Sequence, residues 1–320
     1  MDPIIPLKTL MGIKFPEQQW IVDRIIPSSA ITILSGQPKS FKTYTLLYIA
    51  MCVSQGEPLF GEFSTEKTNV LIIDEENEPR LIQHRLKQLG ADEESSIHFT
   101  PRKGFNIGDE TIDNVLLSCQ TYDIKLVIID SLIRIHRLNE NSSGDMAEVF
   151  KQLRRFTEAG IAVLVTQHHR KPGSNYTSMS SEIRGSSDIL AAIDSHMSVT
   201  RQDKYYLTFE QTKQRYEEEL EPFEIKINIE DDNLEYIYIG ETEGHINKTD
   251  ILRSAVAELL KEHGKLLQKE LLQKLEITGV KTNEHKLRPL LNRWISEGLL
   301  DFEPGKGNSK YYKVKAGAEV

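Results

Sequence analysis

Over the first 240 residues, short apolar runs alternate with amphipathic stretches. Ile31-Thr-Ile-Leu, Asn69-Val-Leu-Ile-Ile, Lys125-Leu-Val-Ile-Ile and Ile161-Ala-Val-Leu-Val are short and rich in β-branched residues. Runs of that length and composition read as buried strands. Between them, Leu46–Val53, Pro79–Leu89, 109–121 and 146–158 carry helical patterns, and Ile97-His-Phe reads as a short strand. Strands alternating with helices predict an α/β fold with a parallel, doubly wound sheet. Ile193–Thr200, Tyr205–Gln211, Phe223–Ile229 and Leu234–Ile239 follow without intervening helices. The last two flank Glu230-Asp-Asp-Asn as a hairpin, so the sheet should end in antiparallel strands. Trp20-Ile-Val-Asp-Arg-Ile-Ile is expected to pack on the sheet edge.

The pattern changes after residue 240. Residues 241–247 read as a linker between a core domain, 1–240, and a small domain, 248–320. In the latter, Lys248–His263 is an amphipathic helix stopped by Gly264, and Leu267–Leu275 is a second. A third spans 284–297, with Leu287, Leu290, Leu291, Trp294 and Ile295 at helical spacing. Pro289 predicts a late start or a kink there. Leu299–Phe302 and Tyr311–Val314 are short strands around a glycine-rich turn. Three helices and a basic hairpin describe a winged helix.

Charge sharpens this division. The 320 residues carry a net −9. Residues 247–315 hold 14 Lys+Arg against 9 Asp+Glu, a net +5, and the remainder holds 25 against 39, a net −14. An acidic body with a basic appendage is not a general polyanion binder. Only two cysteines occur, Cys52 and Cys119, both in apolar helical patterns, which argues against a disulfide framework or a cysteine-based zinc site. No secretory leader and no membrane-length apolar run is read, so the expected location is the cytoplasm.

The candidate chemistry gathers at strand ends, where doubly wound sheets bind ligands. The first strand runs into Gly36-Gln37-Pro38-Lys39-Ser40-Phe41-Lys42-Thr43 and then a helix. A strand, a tight loop, Lys-Thr and a helix make a phosphate-binding P-loop, although Phe41 stands where a second glycine is expected. Lys42 would reach the β- and γ-phosphates of ATP, and the Thr43 hydroxyl would ligate Mg²⁺. Asp130, at the end of its strand, would support the metal. Glu76 is the candidate base for activating water, with Glu75 the alternative. Gln167 would contact the γ-phosphate. His168-His169 has no third ligand nearby and is not read as a metal site.

Lys213-Gln-Arg215 projects two cations to one side of a late strand. It reads equally as an anion clamp for a neighbouring subunit's nucleotide or as surface ion pairs with Glu217–Glu219. Arg134, Arg137, Arg170, Lys171 and Arg184 flank two polar loops, 134–145 and 170–182. Basic loops on one rim of an acidic domain fit a nucleic-acid backbone, with Tyr176 placed to stack on a base. Surface solvation is the alternative for each residue singly.

In this order, the segments resemble the RecA-like core of replicative helicases over about residues 16–240. The closer likeness is to compact plasmid RepA-type ATPases, and the DnaB core is more distant. Ser40-Phe-Lys in the loop is similar to RepA-like sequences. Val70-Leu-Ile-Ile-Asp-Glu-Glu with Arg85-Leu86 resembles the strand of the catalytic Glu, favouring Glu76. Val127-Ile-Ile-Asp130 is similar to Walker B, and Val165-Thr-Gln-His-His-Arg170 to the γ-phosphate sensor strand. Ser181-Glu-Ile-Arg-Gly-Ser-Ser187 resembles the end of the second DNA-binding loop, and Lys213-Gln-Arg215 a Lys-x-Arg finger acting across a ring interface. The resemblance implies a hexameric ring with ATP between subunits and single-stranded DNA in its centre, with Arg184 joining Lys213 and Arg215 at a neighbour's site. The winged helix departs from the compact family; it would bind duplex DNA or a protein through the 284–297 helix and the Lys306–Lys310 wing. The expected function is a Mg-ATP-dependent, DNA-stimulated motor. An ATP-switched DNA-binding regulator is the second reading, and a strand-exchange recombinase the third.

Overall fold

The computed structural model describes residues 4–100, 102–140, 142–168, 186–242, 248–278, 282, 284–296, 298–305 and 310–315. By internal contacts the chain divides into two units, Met1–Thr242 and Glu243–Val320.

In the first unit, a short helix, α1 (Leu7–Gly12), precedes a two-stranded antiparallel ribbon of β1 (Trp20–Val22) and β2 (Ile26–Pro27). Then come β3 (Ile31–Gly36), α2 (Lys42–Gln55), β4 (Asn69–Asp74), α3 (Pro79–Gln88), β5 (Ile97–Thr100), α4 (Asp109–Thr121) and β6 (Ile124–Asp130). After a single 3₁₀ turn follow α5 (Ser143–Glu158), β7 (Ala162–His168), α6 (Ser186–Ala192), β8 (Ser195–Arg201), β9 (Tyr206–Gln214), β10 (Phe223–Glu230) and β11 (Asn233–Glu241). The strands form one sheet of nine in the order β11-β10-β9-β8-β3-β7-β6-β4-β5. β8 through β5 in that order run parallel, and β9, β10 and β11 are antiparallel.

Alternation along the central strands explains why both faces are covered. Leu126 and Ile128 of β6 join the core that contains Leu46, Leu47 and Val53 of α2. Val127 and Ile129 point the other way, into the core built with Ile112 of α4 and Val149, Leu153 and Phe156 of α5. Each strand side chain so buried contributes roughly 1.5–3 kcal/mol relative to exposure.

Two local expectations are corrected. The Trp20–Ile26 segment does not pack on the edge of the large sheet: with Pro27 it forms a ribbon of its own. Ile25 and Ile26 instead pack beside Thr32, Leu34, Leu164 and Met197 of the central strands, around a small apolar void. The helix expected from residue 146 begins a turn earlier, at Ser143, because the Ser142 hydroxyl caps it by accepting the Asp145 N–H.

The second unit holds α7 (Lys248–His263), β12 (Leu266–Leu267), α8 (Gln268–Ile277), α9 (Glu284–Ser296), β13 (Leu300–Pro304) and β14 (Lys310–Val314). Its antiparallel sheet has the order β12-β14-β13. Leu252, Val256, Leu260, Leu271, Leu275, Leu287, Leu291, Trp294, Leu300 and Tyr312 form its core. Pro289 lies inside α9, which starts before it at Glu284 rather than after it. The Leu287–Leu291–Trp294 face holds the helix through the missing N–H. Among the described residues, no helix is long and apolar enough to cross a membrane.

Candidate functional site

β3 delivers the Gly36–Thr43 loop to the rim where the parallel strands end. At Gly36 a Cβ would meet the Val199 carbonyl oxygen at 2.5 Å and Ser40 Oγ at 2.6 Å, so backbone and loop close around a residue without a side chain. Lys39 and Phe41 have left-handed φ values of 67° and 65°. That region costs an L-residue roughly 1–2 kcal/mol, which is why glycine is expected at the second position. Phe41 bears the strain with its ring packed 5.6 Å from the Tyr44 ring and under the Arg201 guanidinium, 4.9 Å from the centroid.

Lys42 opens α2 and is buried. Its Nζ folds back to donate to the carbonyls of Gly36 at 2.9 Å and Gln37 at 2.8 Å. Burial pushes the ammonium down to about 8, against the attraction of Asp130 and Glu76. Thr43 Oγ1 donates to Asp130 Oδ2 at 2.8 Å, across from the loop on β6. Asp130 also accepts from Thr166 of β7, and its carboxyl is raised by burial and by neighbouring Asp74. Asn77, beyond the end of β4, bridges Asp74 Oδ2 at 2.9 Å and Asp130 Oδ2 at 3.4 Å, and accepts from Arg85.

Glu75 and Glu76 part company. Both Glu75 oxygens accept backbone N–H groups, from Lys103 at 3.1 Å and Gly104 at 2.9 Å, so that side chain pins a loop. Glu76 turns toward β6 and β7: it accepts from Ser131 Oγ at 3.0 Å and stands 3.8 Å from His168 Nε2. His168 foremost, then Ser131, hold its carboxyl at about 2, so Glu76 is ionised at neutral pH. Gln167 lies buried at the end of β7, in register with Ser35 of β3.

These residues fit a magnesium nucleotide. Ser40 Oγ is buried in the loop without a hydrogen-bond partner, an acceptor or donor left for a phosphate oxygen. Among the described residues, no three His, Cys, Asp or Glu side chains form a metal cage. Magnesium suits such a place, because it takes one or two carboxylates, a hydroxyl and substrate phosphates rather than a full protein shell. Thr43 and Asp130 would hold it.

Lys213 and Arg215 lie elsewhere. β9 runs antiparallel to β8, so its end faces the start of the parallel strands. The Arg215 N–H donates to the Asp194 carbonyl, and the Asp194 N–H donates to that of Ile31, the first residue of β3. Gly36 is five residues further along, about 16 Å at strand rise. The Arg215 guanidinium sits 3.3 Å from buried Asp194, which also accepts from Ile31 N–H and from Arg154. Lys213 Nζ donates to the Leu190 carbonyl of α6.

Arg134 and Arg137 are exposed in the loop after β6. Arg170, Lys171, Tyr176 and Arg184 fall outside the described residues, as do residues 306–309 of the expected wing. Asn77, Thr166, Asp194 and His196 also take part in the polar contacts around these strands without standing out in the sequence. The last is buried in β8 between Ser35 Oγ, at 2.7 Å, and Thr212 Oγ1. No local motif marks these four; Thr166 and His196 are polar residues inside buried strands, and Asn77 and Asp194 lie just outside strand ends.

A family model described as an AAA domain, AAA_25, matches residues 7–174, more than half of the chain. No curated protein matches it.

Proposed function

We propose, from the premise that the chain belongs to this AAA-domain family, that it is a Mg-ATP-driven ring motor of the replicative-helicase type, moving on single-stranded DNA in the cytoplasm. ATP binding and nucleotide-dependent ATPase activity come with the family. In the proposed motor, Lys42 and the loop N–H groups bind the phosphates, and magnesium bound by Thr43 and Asp130 offsets phosphate charge. Glu76, ionised, orients water and takes its proton. Gln167 contacts the γ-phosphate from β7.

One observation carries the ring. Arg215 and the P-loop of the same chain lie at opposite rims of the sheet, out of reach of each other, which supports a reading in which this cation would serve another copy's nucleotide. Arg134 and Arg137, with Arg170, Lys171, Tyr176 and Arg184, would line the DNA path, and a hexamer is the assembly proposed. The order of helices and strands in the second unit supports a winged helix, which would hold duplex DNA or a protein partner. A slower ATP-switched DNA-binding regulator is the second reading. Its support is the Asp194 contact, which holds Arg215 in its own chain.

The test is ATP turnover with and without single-stranded DNA, for wild type, Arg215→Ala and Glu76→Gln, beside a light-scattering mass and an unwinding assay. The motor predicts a ring-sized particle whose DNA-stimulated turnover falls by about two orders of magnitude or more in both variants, with ATP binding kept. A monomer whose ATPase ignores DNA and Arg215→Ala would remove the motor and leave the regulator.

A further inference from the structure

Ser35, the residue before Gly36, takes no part in the phosphate chemistry, yet it is polar and fully buried. Along β3 it follows Ile31 and Ile33 on the face packed against α4 and α5. Ile33 stands opposite His196 of β8, which is also fully buried. His196 Nε2 is hydrogen-bonded to Ser35 Oγ at 2.7 Å, and its Nδ1 to Thr212 Oγ1 of β9. Apolar side chains would fill these places with no need of hydrogen-bond partners, whereas buried polar groups are tolerated only when they find them. β3, β8 and β9 are thus joined by a hydroxyl–imidazole–hydroxyl bridge as well as by their backbone ladders.

The ladder is irregular at the same place. Between β8 and β9, His196 pairs with Lys213 and Met197 with Gln211, which leaves Thr212 as the extra residue of a β-bulge. A bulge bends its strand and re-aims the side chains beside it. Here the next side chains along the strand are Lys213 and, two residues on, Arg215. The chain beyond the bulge is itself held: Gln214 Nε2 donates to the Arg24 carbonyl at 2.9 Å, and Gln214 Oε1 accepts the Arg215 N–H at 3.0 Å.

We propose that the Ser35–His196–Thr212 bridge places Lys213 and Arg215 for a neighbouring copy's nucleotide, with His196 and Thr212 as positioning residues. This rests on the trans-acting Arg215 of the ring reading and adds what aims it. One end of the bridge adjoins the phosphate loop, and the other is the bulge from which the two cations emerge. The bridge therefore sets the offset between the loop that meets one neighbour and the arginine that meets the other. In a closed ring every copy must keep the same offset. A misplacement of about 1 Å at a reacting group can cost a hundredfold in rate, and a bulge residue left out of the ladder gives little hold of its own. The Thr212 hydroxyl supplies that hold.

ATP turnover with single-stranded DNA, and ATP affinity by titration calorimetry, are measured for wild type, Thr212→Val, Thr212→Ser, Arg215→Ala and the double variant Thr212→Val/Arg215→Ala. Thr212→Val keeps the branched shape and loses the hydroxyl; Thr212→Ser keeps the hydroxyl. Positioning predicts that Thr212→Val slows turnover about tenfold with ATP affinity within about twofold of wild type, and that Thr212→Ser stays within about twofold in both. The double variant should be no slower than Arg215→Ala alone, because a bridge that aims an arginine has nothing to aim once it is gone. Thermal midpoints show which variants are folded. If Thr212→Val unfolds, Ser35→Ala breaks the bridge from its other end and is held to the same outcomes; if both unfold, the bridge is structural and the proposal falls. Turnover unchanged in Thr212→Val, losses that multiply in the double variant, or ATP affinity that falls with turnover overturns the positioning role. Arg215→Ala without effect overturns the trans-acting arginine, and the positioning role falls with it.

Discussion

Lys42 is the residue whose chemistry is most exposed to a change of conditions. Its ammonium is buried and held down at about 8 rather than the ordinary 10.5. Between those two values the unfolded chain binds the proton that the folded chain has released. Stability of the nucleotide-free protein therefore rises as pH climbs from about 8 to 10.5, while the cost of the buried charge is present in full below 8. Triphosphate binding needs the charged form, so it should show the opposite trend: affinity level up to about pH 8 and falling above it. Urea midpoints and ATP titrations across that range check both signs, and Lys42→Ala should remove both trends. The same residue shows what the sequence discloses. Lys42-Thr43 after a β-branched run was legible from spacing alone. The choice between Glu75 and Glu76 was not, because it depends on the 103–104 backbone, distant in sequence, occupying one of them.

At the level of elements, β8 ties the sheet together through groups that no local pattern announces. Asp194, immediately before it, is 1% exposed, accepts from the Ile31 N–H and Arg154, and lies 3.3 Å from the Arg215 guanidinium. Asp194→Ala leaves a buried N–H and a half-buried guanidinium without their acceptor, and should cost about 2–3 kcal/mol. A lower urea midpoint with an unchanged slope would register it, and Asp194→Ala should also free Arg215. Midpoints equal to wild type would mean the three donors find other acceptors. Strand order shows the same limit of reading. Alternating runs gave the parallel core, and the hairpin turn gave β10 and β11. The place of Trp20–Ile26 is not legible in the sequence, because a short apolar segment carries no mark of which face it covers. Its ribbon lies under β3, β7 and β8, chosen by the gap that Leu34, Leu164 and Met197 leave. The start of α5 was lost for a smaller reason: Ser142 lies outside the periodic stretch, and capping acts beyond the pattern.

For the whole molecule, the two units each bury their own core, one around the nine-stranded sheet and one around Leu271, Leu287 and Trp294. The change of charge near residue 247 had already separated them. The larger consequence comes from the two rims of the sheet. In the proposed ring, a site assembled from one chain's loop and another chain's Arg215 would make each defect belong to a junction rather than to a chain. Lys42→Ala spoils only the junction its own loop faces, and Arg215→Ala only the one its own arginine faces. Two preparations, each inert by itself, should therefore complement when mixed before assembly. Some junctions then pair the sound loop of one parent with the sound arginine of the other. Phosphate release from the mixture, against none from either parent, would record it. A chain carrying both substitutions should act as a poison, silencing wild-type partners on both sides.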